Sequence, residues 1–155
     1  MTPLFDMKKL AGLCYIGVNP EKTNYVLLRF AEDSSKGWSF IYGPIVEIAV
    51  SEMAKDGLCL VVGHLRNRPS LNPETLSSSE KVPSEHLLRL KRTHPLVHVE
   101  LLRLVDGREE IKIMPLHAGR GWKFEAEPEE IRIYQLPMKN DDFLAALDES
   151  FEVAT

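Results

Sequence analysis

The sequence has few cysteines and no long hydrophobic segment. Only two cysteines occur among 155 residues, too few for the disulfide framework of a small secreted domain. No apolar run approaches the roughly 18 residues of a membrane-spanning helix, and glycines interrupt Leu10–Val18, which lacks a signal-peptide cleavage site. These absences predict a cytoplasmic protein without a membrane anchor. We expect Cys14 and Cys59 to be inert core thiols, with a disulfide between neighbouring strands as the alternative.

Neither sign of charge dominates the chain. Nineteen Lys and Arg stand against 23 Asp and Glu, a net charge of −4, which argues against general binding of polyanions. A local basic excess falls within residues 60–95, but it is spread over a loop and a short helix and no aromatic platform is interleaved with it. Nucleic-acid binding is therefore not expected of these six cations, Arg66, Arg68, Lys81, Arg89, Lys91 and Arg92.

Signature motifs of common enzyme classes are also missing. The sequence contains no Walker loop, dinucleotide-binding glycine motif, nucleophile elbow or metalloprotease helix. His94 and His98 have the spacing of a helical zinc pair, but on the strand predicted here they would lie roughly 13 Å apart, and no further ligand supports them. We therefore expect no metal and no cofactor.

The residues that are present predict one α+β domain over residues 1–155. Apolar residues make up 44% and charged residues 27% of the chain, proportions typical of a globular protein. Segments of alternating and helical hydrophobic periodicity predict a mixed or antiparallel sheet of about seven strands with two or three helices. The predicted strands are Leu10–Val18, Tyr25–Phe30, Trp38–Tyr42, Leu58–Val62, the two arms of a hairpin around Asp106-Gly107, Trp122–Ala126 and Ile131–Leu136.

Three helices and one long loop complete this prediction. Periodicity indicates a helix over residues 44–56, with Gly57 as its C-terminal cap. Ser84 caps a short helix that His94-Pro95 ends, and Asn140 or Asp141 caps a final helix. Residues 63–83 contain three prolines and no periodicity, which indicates a long irregular loop.

The strongest local pattern is the hairpin at Asp106-Gly107. Asp-Gly between two alternating runs is a typical hairpin turn. A three-residue loop over residues 105–107 places Arg103 opposite Glu109 and keeps one face of the hairpin apolar, whereas a two-residue turn does not. We predict the three-residue loop.

Histidines and arginines offer one catalytic hypothesis. A metal-independent ribonuclease or other small hydrolase needs a base, an acid and a cation beside the developing charge. His117 with Arg120, or His64 with Arg66, could supply a base and a cation. This reading is the alternative to a non-catalytic function.

The acidic residues of the C-terminal region support the preferred hypothesis. Residues 96–155 carry 13 acidic and 7 basic side chains, and Asp148, Glu149 and Glu152 crowd the end of the last helix, where negative charge is unfavourable. Either they form an ordinary solvated face, or they steer a basic partner. Asp142 belongs to the same helix, and Trp38 and Trp122 are candidate anchors because tryptophan dominates binding energy at many interfaces.

This profile predicts a non-catalytic protein-binding module that occludes a basic protein partner. Bacterial immunity proteins, antitoxins and secretion chaperones share such a profile of size and charge, although the analogy transfers no residue.

Overall fold

In the computed structural model, which describes residues 8–117 and 126–154, all the strands pair into one seven-stranded sheet. The sheet order is β3-β2-β1-β5-β6-β7, with the short β4 beside the end of β2. Three helices accompany it, which confirms the predicted α+β domain. The elements are β1 Lys8–Val18, β2 Asn24–Asp33, β3 Ser39–Ala49, α1 Val50–Arg66, β4 Ser70–Leu71, α2 Ser84–Thr93, β5 Leu96–Leu104, β6 Glu109–Pro115, β7 Arg132–Gln135 and α3 Asn140–Val153.

The hairpin formed by β5 and β6 has the predicted register. Arg103 pairs with Glu109, and Leu101 pairs with Ile111. Gly107 has φ +90, the left-handed conformation that a three-residue loop requires of its glycine. The Arg103 and Glu109 side chains lie 3.1 Å apart, so both the loop and its ion pair are confirmed.

The predicted boundary between β3 and α1 is wrong. Residues up to Ala49 continue β3, because Val46 and Ile48 alternate across the sheet opposite Leu27 and Tyr25 of β2. The helix predicted over residues 44–56 therefore begins only at Val50.

The predicted strand Leu58–Val62 is also wrong, since these residues lie within α1. A short apolar run fits a strand or a buried helical segment equally well. Gly57 occupies a break in the helix beside Asp56, which has φ −132 and ψ 18, and is not its C-terminal cap. The prediction that both cysteines lie in the core holds for Cys14, which is buried, and is wrong for Cys59, which is exposed on α1; both thiols are free.

Asn140 joins the broken helix to α3. Its Oδ1 accepts a hydrogen bond of 2.7 Å from the Leu58 amide, and its Nδ2 donates to the carbonyls of Met53 and Ala54 at 3.0 Å. The predicted capping role is wrong, because Lys139 occupies the N-cap and no side chain caps α3. The amide satisfies backbone groups freed by the break in α1 instead.

The two faces of the sheet are covered unequally. Helices α1 and α3 pack on one face over an apolar core that includes Leu27, Val99, Ile111 and Phe143. On the opposite face, α2 covers a smaller cluster around Tyr15 and Leu28. Helix α1 approaches β1 so closely that a Cβ on Gly12 would lie 2.1 Å from the Leu65 carbonyl oxygen.

The segment predicted as an irregular loop, residues 63–83, is partly regular. Its first four residues finish α1, and β4 and two short 3-10 turns follow at Pro73–Thr75 and Ser78–Glu80. The short helix, Ser84–Thr93, and the strand near residues 131–136 are confirmed. The N-cap predicted at Ser84 is wrong, because Pro83 occupies that position and Ser84 is the first helical residue. The predicted strand Trp122–Ala126 falls almost entirely outside the described residues. Among the described helices, none has the length and apolarity to cross a membrane.

Candidate functional site

Helix α3 presents its carboxylates as an exposed ridge at its C-terminal end. Its inward stripe, which includes Phe143, Leu147 and Phe151, packs into the core. Asp148, Glu149 and Glu152 consequently point outward and are exposed. The last turn of the helix contains no basic residue, so these charges meet the negative end of the helix dipole without a counterion on the helix itself.

A cavity of about 400 Å³ lies on one side of this ridge, and we call it the first acidic pocket. Asp148 and Glu152 supply its carboxylates and Lys22 its cation. The Tyr25 and Phe151 rings lie 6.2 Å apart between their centroids. Burial, together with the Asp148 charge, raises the pKa of Tyr25. The remaining lining residues are apolar: Val18, Val50 and Pro95.

A cavity of about 330 Å³ lies on the other side, and we call it the second acidic pocket. Glu149 lines it together with three carboxylates of the segment before β7 and the cation Arg132. Arg132 approaches Glu149 at 3.4 Å and also donates to the Glu129 carbonyl. Its other lining residues are Pro115, Glu127, Glu129, Glu130, Ala146, Ser150 and Val153.

Two polar groups distinguish the second pocket. Ser150 is only 7% exposed, and its Oγ has no hydrogen-bond partner within residues 8–117 and 126–154. Glu130 accepts a hydrogen bond from the Glu127 amide at 2.8 Å, and its Oε1 lies 3.1 Å from His117 Nε2. These bonds, the amide first, hold the pKa of Glu130 below its usual value.

Sheet topology explains why the pockets flank α3. The first lies over the paired ends of β1 and β2, where Val18 meets Tyr25. The second lies over the end of β6 and the start of β7. All four strand termini lie at the same end of the sheet, and α3 contacts β5 and β6 between them. We call this end of the sheet, with the ridge and both pockets, the acidic surface.

The residues of the catalytic hypothesis lie at different places in the fold. Arg66 ends α1, and its Nη2 contacts Glu109 Oε1 at 2.5 Å, at the start of β6. His117 lies beyond the other end of β6, a strand that spans about 20 Å. His64 shares the last turn of α1 with Arg66, and burial, together with the nearby Arg29 charge, lowers its pKa. Arg120 lies outside the described residues.

The predicted partner-binding residues are only partly brought together. Asp148, Glu149 and Glu152 share one ridge, while Asp142 lies in the first turn of α3, about 9 Å from Asp148 along the axis. Trp38 is 75% exposed, but it follows β2 at the end opposite Tyr25, roughly 26 Å away. Trp122 lies outside the described residues.

Sequence reasoning missed the pocket residues Tyr25, Ser150 and Glu129. The acidic run over residues 127–130 was visible in the sequence, but its position beside α3 depends on where β6 and β7 end. Tyr25 and Ser150 carry no local signal, because long-range packing alone brings them to the pockets.

Residues that could hold a metal do not converge in the described part of the chain, where no group of three His, Cys, Asp or Glu side chains is suitably placed. His94 Nδ1 lies 2.7 Å from the Thr93 hydroxyl. His98, in β5, is mostly buried beside Tyr15, and burial, with the Lys112 charge, lowers its pKa to about 4.

Comparisons with known proteins find a similar fold but indicate no function. No protein-family model matches the chain, and no curated protein sequence matches it. A solved structure of a protein of unknown function from Neisseria meningitidis is similar over 100% of both chains, with a TM-score of 0.56 and 11% identity. At that identity the similarity extends to the fold alone.

Proposed function

We propose that this protein is a non-catalytic binding module whose acidic surface occludes a basic protein partner, as inhibitors and chaperones do. One observation carries the proposal. The exposed carboxylates Asp148, Glu149 and Glu152 stand between two cavities that have apolar walls.

Each part of this surface has a role in association. Clustered carboxylates raise the encounter rate with a basic surface. Concave apolar walls then allow a close fit that removes water, which is where interfaces gain most of their affinity. The ridge and its pockets combine clustered carboxylates with apolar concave walls at one end of the sheet.

We assign the protein to the cytoplasm. Its two cysteines are both unpaired, and Cys59 is exposed on α1. An exposed free thiol is compatible with a reducing compartment.

The alternative, a small hydrolase, has one supporting observation, the contact between His117 and Glu130 at the edge of the second pocket. A carboxylate can orient a histidine that acts as a general base. This alternative expects His117→Ala to abolish turnover of a substrate while the melting temperature stays nearly constant.

The binding proposal is tested first by capture. The tagged protein is incubated at low salt with lysate of its source cells, and bound material is eluted with rising salt. We expect one stoichiometric basic protein that elutes at moderate salt. RNA as the eluted species would contradict the proposal.

Association kinetics with that partner then locate the interface. Reversing Asp148, Glu149 and Glu152 to lysine should slow association more than tenfold at low salt. The control reverses three exposed glutamates away from α3, Glu47, Glu74 and Glu85, and changes the net charge equally. Similar rates for the two variants would place the interface elsewhere.

A further inference from the structure

We propose that the acidic surface recognises two separate cationic side chains of its partner, one in each acidic pocket, so that the partner straddles α3. This inference rests on the proposed function and specifies the chemistry and spacing that the partner must present.

Each pocket has the composition that suits a long cationic side chain. Val18, Val50 and Phe151 line the first pocket beside Asp148 and Glu152. Pro115, Ala146 and Val153 line the second beside its glutamates. The aliphatic stem of an arginine or lysine packs against apolar surface while its charged head meets carboxylates. Arginine suits both pockets best, because its planar fork can bind a carboxylate through two hydrogen bonds.

The residues lining each pocket leave negative charge available for such a ligand. Lys22 opposes two carboxylates in the first pocket. Arg132 opposes four in the second, and its contact with Glu149 is long, at 3.4 Å. Among the described residues, no lysine or arginine forms an ion pair with Asp148, Glu152 or Glu129.

Ser150 gives independent support for the second pocket. Ser150 lines the pocket and is almost fully buried, and its Oγ has no hydrogen-bond partner in the described part of the chain. Buried hydroxyls are rarely left unpaired in native proteins. A guanidinium carries five N–H groups and would supply the missing donor once rotation about χ1 of Ser150 brings the hydroxyl to the pocket surface.

The sheet sets the separation of the two cations. One pocket lies over β1 and β2 and the other over β6 and β7, with β5 between the pairs. Their centres are therefore three strand spacings apart, about 14 Å. One cationic side chain cannot fill both pockets, so two anchored groups are required.

Rigid peptides test this spacing. The probes are polyproline peptides that contain two arginines one, four or eight positions apart, or about 3, 12 and 25 Å at 3.1 Å per residue. All three have the same composition and charge. We expect the 12 Å peptide to bind at least tenfold more tightly than the other two, as measured by fluorescence anisotropy. Equal affinity for all three would overturn the proposal.

Variants assign each arginine to a pocket. Asp148→Asn with Glu152→Gln neutralises the first pocket, and Glu129→Gln with Glu149→Gln neutralises the second. Either pair should reduce the affinity of the 12 Å peptide to that of a single-arginine peptide, whereas the control Glu74→Gln with Glu85→Gln should not. Circular dichroism establishes that each variant is folded. An unchanged affinity in either pocket variant would overturn the proposal.

Failure of this inference differs from failure of the proposed function. If a basic partner is captured and charge reversal slows its association, but arginine spacing has no effect, the function holds and the two-pocket model is wrong. If the 12 Å peptide binds most tightly while no protein partner is captured, the two-pocket model is supported and the proposed function is wrong.

Discussion

The two ends of the sheet use their carboxylates differently. At the end where α1 finishes, Glu109 contacts both Arg66 and Arg103, Glu32 contacts Arg68, and Glu110 contacts Lys8. At the other end, the ridge of α3 and the segment before β7 concentrate carboxylates, and among the described residues that line the two pockets the cations are Lys22 and Arg132.

This difference shows that the net charge of −4 is not spread evenly over the surface. The chain contains enough arginines to neutralise the acidic surface, but several of them lie at the opposite end of the sheet. Carboxylates at that end contribute to the stability of the fold. Those of the acidic surface are the ones to which we assign partner binding in our proposal.

Gly12→Ala should have the largest effect on stability, because it disturbs the packing of α1 at the end of the sheet where Glu109 pairs with Arg66 and Arg103. The new Cβ would lie 2.1 Å from the Leu65 carbonyl oxygen, and moving α1 would also separate Arg66 from Glu109. We expect the free energy of unfolding to fall by about 3 kcal/mol or more, as measured by urea denaturation.

The control for this substitution is Gly63→Ala on the same helix. A Cβ there meets nothing within 4 Å, so alanine should leave stability unchanged or raise it by about 0.5–1 kcal/mol. Equal losses in both variants would mean that the close approach of α1 to β1 is not what anchors this end.

His98 makes the stability of the fold depend on pH. The pKa of His98 is about 4 in the folded protein against an ordinary value near 6.5. The unfolded chain therefore binds more protons between these pH values. The contribution of His98 to the free energy of unfolding is therefore complete above pH 6.5 and is lost as the pH falls to 4. The total loss is about 3 kcal/mol.

His98→Phe should remove this loss while keeping the ring contact with Tyr15. Urea denaturation at pH 7 and pH 4 measures the difference, with His86→Phe on the exposed face of α2 as the control. If His98→Phe leaves the pH dependence unchanged, the carboxylates at the ends of the sheet account for all of it.

How far the sequence predicts these regions depends on whether a feature is local. The hairpin that brings Arg103 to Glu109 was predicted with its register, because the Asp-Gly turn and the alternation on both sides are encoded within a dozen residues. The change from β3 to α1 was not. Its apolar run fits both periods, and the break at Asp56 depends on Asn140, more than eighty residues away.

The candidate site divides in the same way. The excess charge of Asp148, Glu149 and Glu152 could be inferred from helix periodicity and the direction of the helix dipole. The pockets could not, because they form where the ends of β1, β2, β6 and β7 meet around α3. Trp38 was a reasonable anchor by residue type, but its position at the far end of β2 was invisible without the pairing of the sheet.

Glu109→Gln should have an intermediate effect and tests the matched end directly. The substitution removes a carboxylate that contacts Arg66 at 2.5 Å and Arg103 at 3.1 Å and leaves the two guanidinium groups facing each other. Both arginines are about half exposed, so solvent screening limits the expected loss to about 1–2 kcal/mol.

The same carboxylate predicts a pH effect. The hydrogen bond from Arg66, followed by that from Arg103, lowers the pKa of Glu109. Its stabilisation is therefore present above the ordinary glutamate pKa and is lost as the pH falls through the lower, folded-state value. Denaturation at pH 7 and at pH 3 should show a smaller difference for Glu109→Gln than for the control Glu74→Gln.

Asp148→Asn with Glu152→Gln should have the smallest effect on stability, and any change should be an increase in the free energy of unfolding, not a loss. Neither residue forms an ion pair within the described residues, and both lie near the negative end of the α3 dipole. Neutralising them should leave the free energy of unfolding unchanged or raise it by about 0.5 kcal/mol, measured by urea denaturation beside Glu109→Gln. A loss of 1 kcal/mol or more would mean that these carboxylates serve the fold. An unchanged or raised stability, together with slower association, would mean that the chain tolerates their mutual repulsion because a partner neutralises it.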